Sequence, residues 1–285
     1  MFEITGKDIS ELDDTDLRML IARLCEADLR RSGLPVSGVT AGGDQNAPDG
    51  GLDVRVSLPQ REDRTDFIPR ANTGFQVKKP DMPRSEILKE MCLGGVVRPV
   101  IVELAEQGGA YIIVSSTGST ADRPLRDRRN AMAEAISGLG AANDLHLDFY
   151  DRDRVASWAR QYPALVSWIR ERLGRPMEGW QPFTNWSAPM DSIDSLYLKD
   201  AKCIIHDCRS TQKEGLTIED GISRIRTNLA RPGGTVRLIG LSGLGKTRLA
   251  QALFDNRIGR DSLDPAVVLY TDISDEPLKK HLPSD

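Results

Sequence analysis

The eight residues Gly240-Leu241-Ser242-Gly243-Leu244-Gly245-Lys246-Thr247 constrain this chain more than any other stretch. Glycines at the first, fourth and sixth places let a backbone fold tightly and point successive N–H groups inward. An apolar run, Thr235-Val236-Arg237-Leu238-Ile239, precedes the loop and is expected to form a buried strand. Arg248 to Phe254 follows with helical periodicity. A strand, a glycine loop and a helix in that order make a cradle for phosphate, because the loop amides and the helix start attract an anion. Gly240, Ser242, Gly243 and Gly245 are the expected cradle, with Lys246 on the β- and γ-phosphates and the Thr247 hydroxyl on Mg²⁺. The ligand so implied is ATP with Mg²⁺. A further strand is expected at Ala266 to Tyr270, but Thr271-Asp272 follows too early to be the second acidic element of such a site. Residues 201–285 therefore read as the N-terminal portion of a P-loop α/β domain, truncated at Asp285.

The preceding residues alternate between elements. Leu17, Leu20, Ile21, Leu24, Cys25 and Leu29 recur at three- and four-residue steps and predict a helix, capped by Asp14 or Thr15 and ended by Gly33-Leu34-Pro35. A glycine-rich stretch, Ala41 to Gly51, leads into an alternating strand, Leu52 to Val56, and a second short strand spans Gly74 to Lys78. Helices near Arg84 to Cys92 and Val97 to Glu106 follow, then a strand at Tyr111 to Ser115, a helix at Arg126 to Ser137 and a strand at Leu145 to Tyr150. The helical pattern from Val155 to Leu173 contains Pro163, which should kink or break it. That alternation predicts an α/β domain over residues 1–174, a mixed sheet flanked by helices. Residues 175–200 hold Pro176, Pro182 and Pro189 without periodicity and read as a connector; a helix is expected at Gly221 to Ala230.

Composition narrows the setting. Met1 to Ser10 is polar with no apolar core, and no apolar run approaches the roughly 20 residues that cross a bilayer. A cytoplasmic location with reduced thiols is expected and no membrane partner. The net charge of −4 does not argue against nucleic acid, since only the groove that meets phosphates must be positive.

Strand periodicity gathers a polar set in the first domain. Gln76 and Lys78 share one face of their strand, Asp53 and Arg55 one face of theirs. Were the two strands neighbours, Asp53 would lie beside Gln76 and Lys78. A carboxylate and an amide oxygen suit Mg²⁺, which prefers oxygen ligands and keeps waters, one of which can attack. A lysine there can orient that water and offset charge on a phosphate. The glycines at 42–43 and 50–51 would let a nucleic-acid backbone approach; Arg55 and Lys79 are accessories facing solvent or phosphate, and Asp44 and Asp49 are turn residues, Asp49 the better ligand of the two.

Asp53 followed by Gln76-x-Lys78 resembles the signature of PD-(D/E)xK nucleases in their Mrr-type branch, over about Leu17 to Arg172. The resemblance implies a restriction-endonuclease-like fold and a Mg²⁺-dependent endonuclease acting on double-stranded DNA, with Asp53, Gln76 and Lys78 as catalytic residues. It also implies a further metal ligand from the first helix, for which Glu26 is the candidate, so Asp53, Glu26 and Gln76 form the expected metal set. Gln76 departs from the acidic residue usual at its position. The loop at Gly240 to Thr247 with Arg248-Leu249-Ala250 resembles STAND-class signal-transduction NTPases. A nuclease ahead of such a domain is similar in layout to antiviral STAND proteins. That layout implies antiphage defence, nucleotide-bound homo-oligomerisation and a phage-protein trigger sensed by a region not among these residues.

Other features carry less. Cys203, His206 and Cys208 lack the fourth ligand that structural zinc needs. His146 and His281 have no catalytic partners in sequence. Arg123, Arg126, Arg128 and Arg129 alternate with Asp122 and Asp127 and read as a solvated helix face, and Trp158 and Trp168 as core. Two other functions remain open: an NTP-dependent restriction endonuclease of modified DNA, and a non-catalytic nucleic-acid-binding module.

Overall fold

A computed structural model of the chain describes residues 3–42, 52–60, 63–119, 121–183, 204–209 and 215–272. The expected glycines at 43 and 50–51, Asp44, Asp49, most of the connector, Cys203 and His281 lie outside them.

The chain begins with α1 (Gly6–Glu11) and α2 (Asp14–Arg31). The first was not anticipated, since its sequence is mostly polar, yet Ile4, Ile9 and Leu12 are buried. Asp13, rather than Asp14 or Thr15, caps α2 by accepting the Asp16 N–H at 2.7 Å. Gly33, at φ 70°, ends it in the left-handed conformation that glycine adopts freely. Strands β1 (Val39–Ala41), β2 (Val54–Ser57) and β3 (Asn72–Lys78) then form an antiparallel run. Helix α3 (Arg84–Met91), the hairpin β4 (Cys92–Leu93) and β5 (Val96–Val97), and α4 (Pro99–Glu106) lead to β6 (Ala110–Ser115). Helix α5 (Asp122–Ala135) leads to β7 (His146–Tyr150), followed by α6 (Arg152–Ala159) and α7 (Pro163–Arg172). Pro163 breaks the helical pattern as expected and takes the first position of α7, where its missing N–H has no partner to lose.

The result is mixed α/β, with a five-stranded sheet in the order β1-β2-β3-β6-β7. Strands β3, β6 and β7 run parallel. β6 is buried along its whole length, and its sequence reads as the unbroken apolar run that a covered parallel strand requires. Leu17, Leu20, Ile21, Phe75, Val77, Trp158 and Ile169 fill the core on one face. Ile87, Met91, Leu104, Tyr111, Ile113, Met132 and Phe149 fill the other. Helices α2, α6 and α7 thus cover one side of the sheet and α3, α4 and α5 the other. The arginines of α5 are not a purely solvated face. Arg128 bonds Asp81 at 2.7 Å and lies over Phe149 of β7, and Arg129 bonds the buried Asp148 carboxylate of β7 at 2.8 Å.

The C-terminal part holds α8 (Ile218–Leu229), α9 (Lys246–Ala252) and two short strands, β8 (Gln181–Pro182) and β9 (Leu269–Tyr270), paired antiparallel. Two expectations fail here. Thr235 to Ile239 forms no strand among the described residues, and Ile239 is 75% exposed, since an extended segment without a pairing neighbour gains no ladder. Ala266 to Tyr270 is split between a 3₁₀ turn (Pro265–Val267) and β9. β9 pairs with the start of the expected connector, whose Phe183 packs on Phe254 with ring centroids 4.0 Å apart. Among the described residues no helix is long and apolar enough to cross a membrane.

Candidate active site and phosphate-binding loop

The register of β2 on β3 runs from Ser57 against Asn72 to Val54 against Phe75, and Asp53 lies just beyond its end. There the two strands part. The Asp53 N–H still donates to the Phe75 carbonyl at 3.1 Å. The next bond is made by the side chain, whose Oδ2 accepts the Val77 N–H at 2.7 Å. The Asp53 carboxylate thereby fills the opening between the strands and satisfies a donor that β2 no longer reaches.

Lys78 ends β3 on the same face as Gln76, toward α3. Its ammonium lies 3.1 Å from the carboxylate of Glu90, a residue that sequence reasoning missed. Glu90 follows Ile87 by three positions and precedes Met91, both buried, so it flanks the apolar stripe of α3; that spacing was the available signal. The Glu90 carbonyl accepts the Arg98 Nε–H at 2.5 Å, which ties the end of α3 to the start of α4. A second missed residue is Arg18 of α2, whose guanidinium is 3.7 Å from Asp53 Oδ1 and also pairs with Asp14.

Burial pushes the Asp53 carboxyl above the ordinary aspartate value of 3.8, more than the Val77 bond and the charges of Lys78 and Arg18 pull it down. The negative charge of Glu90 adds to the rise. Gln76 is 8% exposed, and its side-chain amide makes no hydrogen bond to any described residue. Arg55 pairs with Glu103 of α4 at 2.5 Å, and both side chains remain partly open to solvent. Beside Asp53 opens a cleft of about 480 Å³, with Thr40, Leu52, Val100 and the Arg55–Glu103 pair in its walls.

The Asp53 carboxylate is thus bonded to the backbone between Gln76 and Lys78, within electrostatic reach of the Lys78 ammonium. Glu26 does not join them. It is exposed on α2 beside Arg23, roughly 12 Å along the helix axis from Arg18, while its neighbours Cys25 and Ala27 point into the core. Among the described residues no three His, Cys, Asp or Glu side chains come together as a metal cluster.

In the glycine loop, Gly243 and Gly245 take φ of 83° and 80°, conformations that side chains resist. Gly245 caps α9, and Lys246 turns back to donate to the carbonyls of Gly240 at 2.9 Å and Leu241 at 2.7 Å. The lysine thus closes the loop into a ring, with Thr247 exposed on the first helical turn. Arg226 of α8, unremarked in the sequence, anchors the far end of α9. It is 1% exposed and donates to the carbonyls of Ala252, Leu253, Asp255, Ile258 and Arg260. Compared with known proteins, the chain matches no family model, no curated protein and no solved structure.

Proposed function

We propose that the sheet domain is a restriction-endonuclease-like, Mg²⁺-dependent endonuclease of double-stranded DNA, regulated by a STAND-type ATP-binding unit and serving antiphage defence. The observation that carries this reading is the Asp53 carboxylate bonded to the Val77 N–H, between Gln76 and Lys78, with the Lys78 ammonium close enough to act on its charge. The available donors are all oxygens, from the Asp53 carboxylate and the unbonded Gln76 amide, and this set suits a hard cation. Bound there, Mg²⁺ would supply a water of lowered pKa and polarise the phosphate. Asp53 and Gln76 would hold it. Lys78 would exchange its carboxylate partner for the attacked phosphate and offset the charge that develops on it. The adjoining cleft, walled by Leu52 and Val100 with Arg55 inside, is an approach for the DNA strand.

In the glycine loop, Lys246 would exchange two carbonyls for the β- and γ-phosphates of ATP, and Thr247 would hold the accompanying Mg²⁺. Homo-oligomerisation on ATP, set off by a phage protein, would bring nuclease domains together.

The test is gel cleavage of linear and supercoiled duplex DNA with Mg²⁺, wild type beside Lys78→Ala. The reading expects cleavage by the wild type, alone or after forced oligomerisation, and none by the variant. Cleavage by both proteins alike would remove Lys78 from the mechanism. No cleavage even by the forced oligomer would leave a DNA-binding module. Cutting confined to methylated DNA would favour a restriction enzyme of modified DNA.

A further inference from the structure

We propose that Glu90 is a ligand of the divalent cation that Asp53 and Gln76 would bind, supplying from α3 the second negative charge that a glutamine does not carry. This rests on the metal-dependent reading above.

Three observations converge on Glu90. Its carboxylate and that of Asp53 act on the same ammonium: Lys78 is 3.1 Å from Glu90, and its charge also stabilises ionised Asp53. Two half-buried carboxylates around one lysine leave a site one positive charge short of balance, and Arg18 meets that need only from 3.7 Å at the Asp53 side. Gln76, more than nine-tenths buried on the face it shares with Lys78, makes no hydrogen bond to any described residue. Its amide atoms are not sealed inside the protein, so a ligand from solvent can reach them. A buried amide without a protein partner calls for a ligand that takes its oxygen.

The backbone at Glu90 is also held. Ile87 and Met91 are buried on either side, and Arg98 bonds its carbonyl. Two carboxylates and an amide oxygen, with waters completing the shell, form a set that a Mg²⁺-sized ion accepts. Ligation by Glu90 has a second effect, because it releases the Lys78 ammonium from its ion pair and frees it for a phosphate. One side chain thus couples cation binding to the availability of the lysine. Glu26, exposed on the far part of α2, takes no part.

The experiment is Mn²⁺ binding to the full chain, followed by electron paramagnetic resonance without DNA. Wild type is compared with Asp53→Asn, Glu90→Gln, Glu90→Asp and Glu26→Gln, each checked by thermal unfolding. Removing one charged ligand should weaken Mn²⁺ by about tenfold or more in Glu90→Gln, and Glu26→Gln should bind as wild type does. Glu90→Asp, which keeps the charge with a shorter reach, should recover part of the loss. Wild-type affinity in Glu90→Gln, with binding lost in Asp53→Asn, would overturn the role of Glu90 and leave the metal-dependent reading standing. Equal weakening in the Gln and Asp variants would mark a structural role and overturn the ligand assignment. No Mn²⁺ binding by the wild type would bring down both.

Discussion

The carboxylate of Asp53 accepts the backbone N–H of Val77 at 2.7 Å, so the residue that ends β2 is bonded into β3. A side chain in that position cannot wander, and its second oxygen, Oδ1, lies 3.7 Å from the Arg18 guanidinium. The bond gives Asp53 a structural task beside the proposed chemical one, and substitutions can separate the two.

Asp53→Asn keeps an oxygen for the Val77 N–H but removes the charge. Its stability should stay within about 1 kcal/mol of wild type, while Asp53→Ala, which orphans that N–H, should lose roughly 1–3 kcal/mol in urea unfolding. Both variants should lower DNA cleavage by about 100-fold or more. Cleavage that survives in Asp53→Asn would put the active site elsewhere.

Lys246 donates to two carbonyls of its own loop, so its removal should cost the loop its closure as well as a phosphate contact. Lys246→Ala should bind a fluorescent ATP analogue at least about tenfold more weakly than wild type, a loss typical of a charge-assisted contact. Unchanged affinity would remove the phosphate-loop assignment.

Arg226 is a buried guanidinium whose hydrogen bonds all run to backbone carbonyls around the end of α9. A lysine offers three donors without the planar fork and leaves carbonyls unmet. Arg226→Lys should destabilise the C-terminal part by about 2 kcal/mol or more and weaken ATP binding with it, although the residue lies outside the loop. Hydrogen exchange at the amides of α8 and α9 would register the change; protection equal to wild type would refute the anchoring role.

Asp28 is buried among α2 residues and accepts from Tyr162 Oη at 2.8 Å and from the Thr65 hydroxyl. Burial holds its carboxyl above the ordinary value of 3.8, outweighing both hydrogen bonds. Between that ordinary value and the raised one, the folded chain carries more protons than the unfolded chain. Stability therefore falls as pH rises through this window and is regained as pH drops back through it. Asp28→Asn has nothing to titrate there, so its urea midpoint should lack this part of the acid-side slope. An identical slope in both proteins would show that Asp28 is not its source.

Local rules carried much of the outline. Apolar steps of three and four found α2, alternation found β2 and β3, and Pro163 marked the break between α6 and α7. The same period-two logic put Gln76 and Lys78 on one face of β3, and Asp53 comes beside them through its bond to the Val77 N–H. Helix α1 escaped because its helical residues are mostly polar, and its burial depends on α6, far along the chain. Thr235 to Ile239 misled for the opposite reason: its composition suits a strand, but a strand exists only with a neighbour to bond.

Periodicity and glycine placement were thus legible in the residues alone, because they act through the backbone over one or two turns. The companions of Asp53 were not. Arg18 comes from a helix 35 positions upstream and Glu90 from one 37 positions downstream, and only the packing of α2 and α3 on opposite faces of one sheet brings them to the same carboxylate. Glu26 and Glu90 are both helical glutamates, and nothing in their chemistry separates them. The side of each helix that meets the core leaves one exposed and sets the other against Lys78.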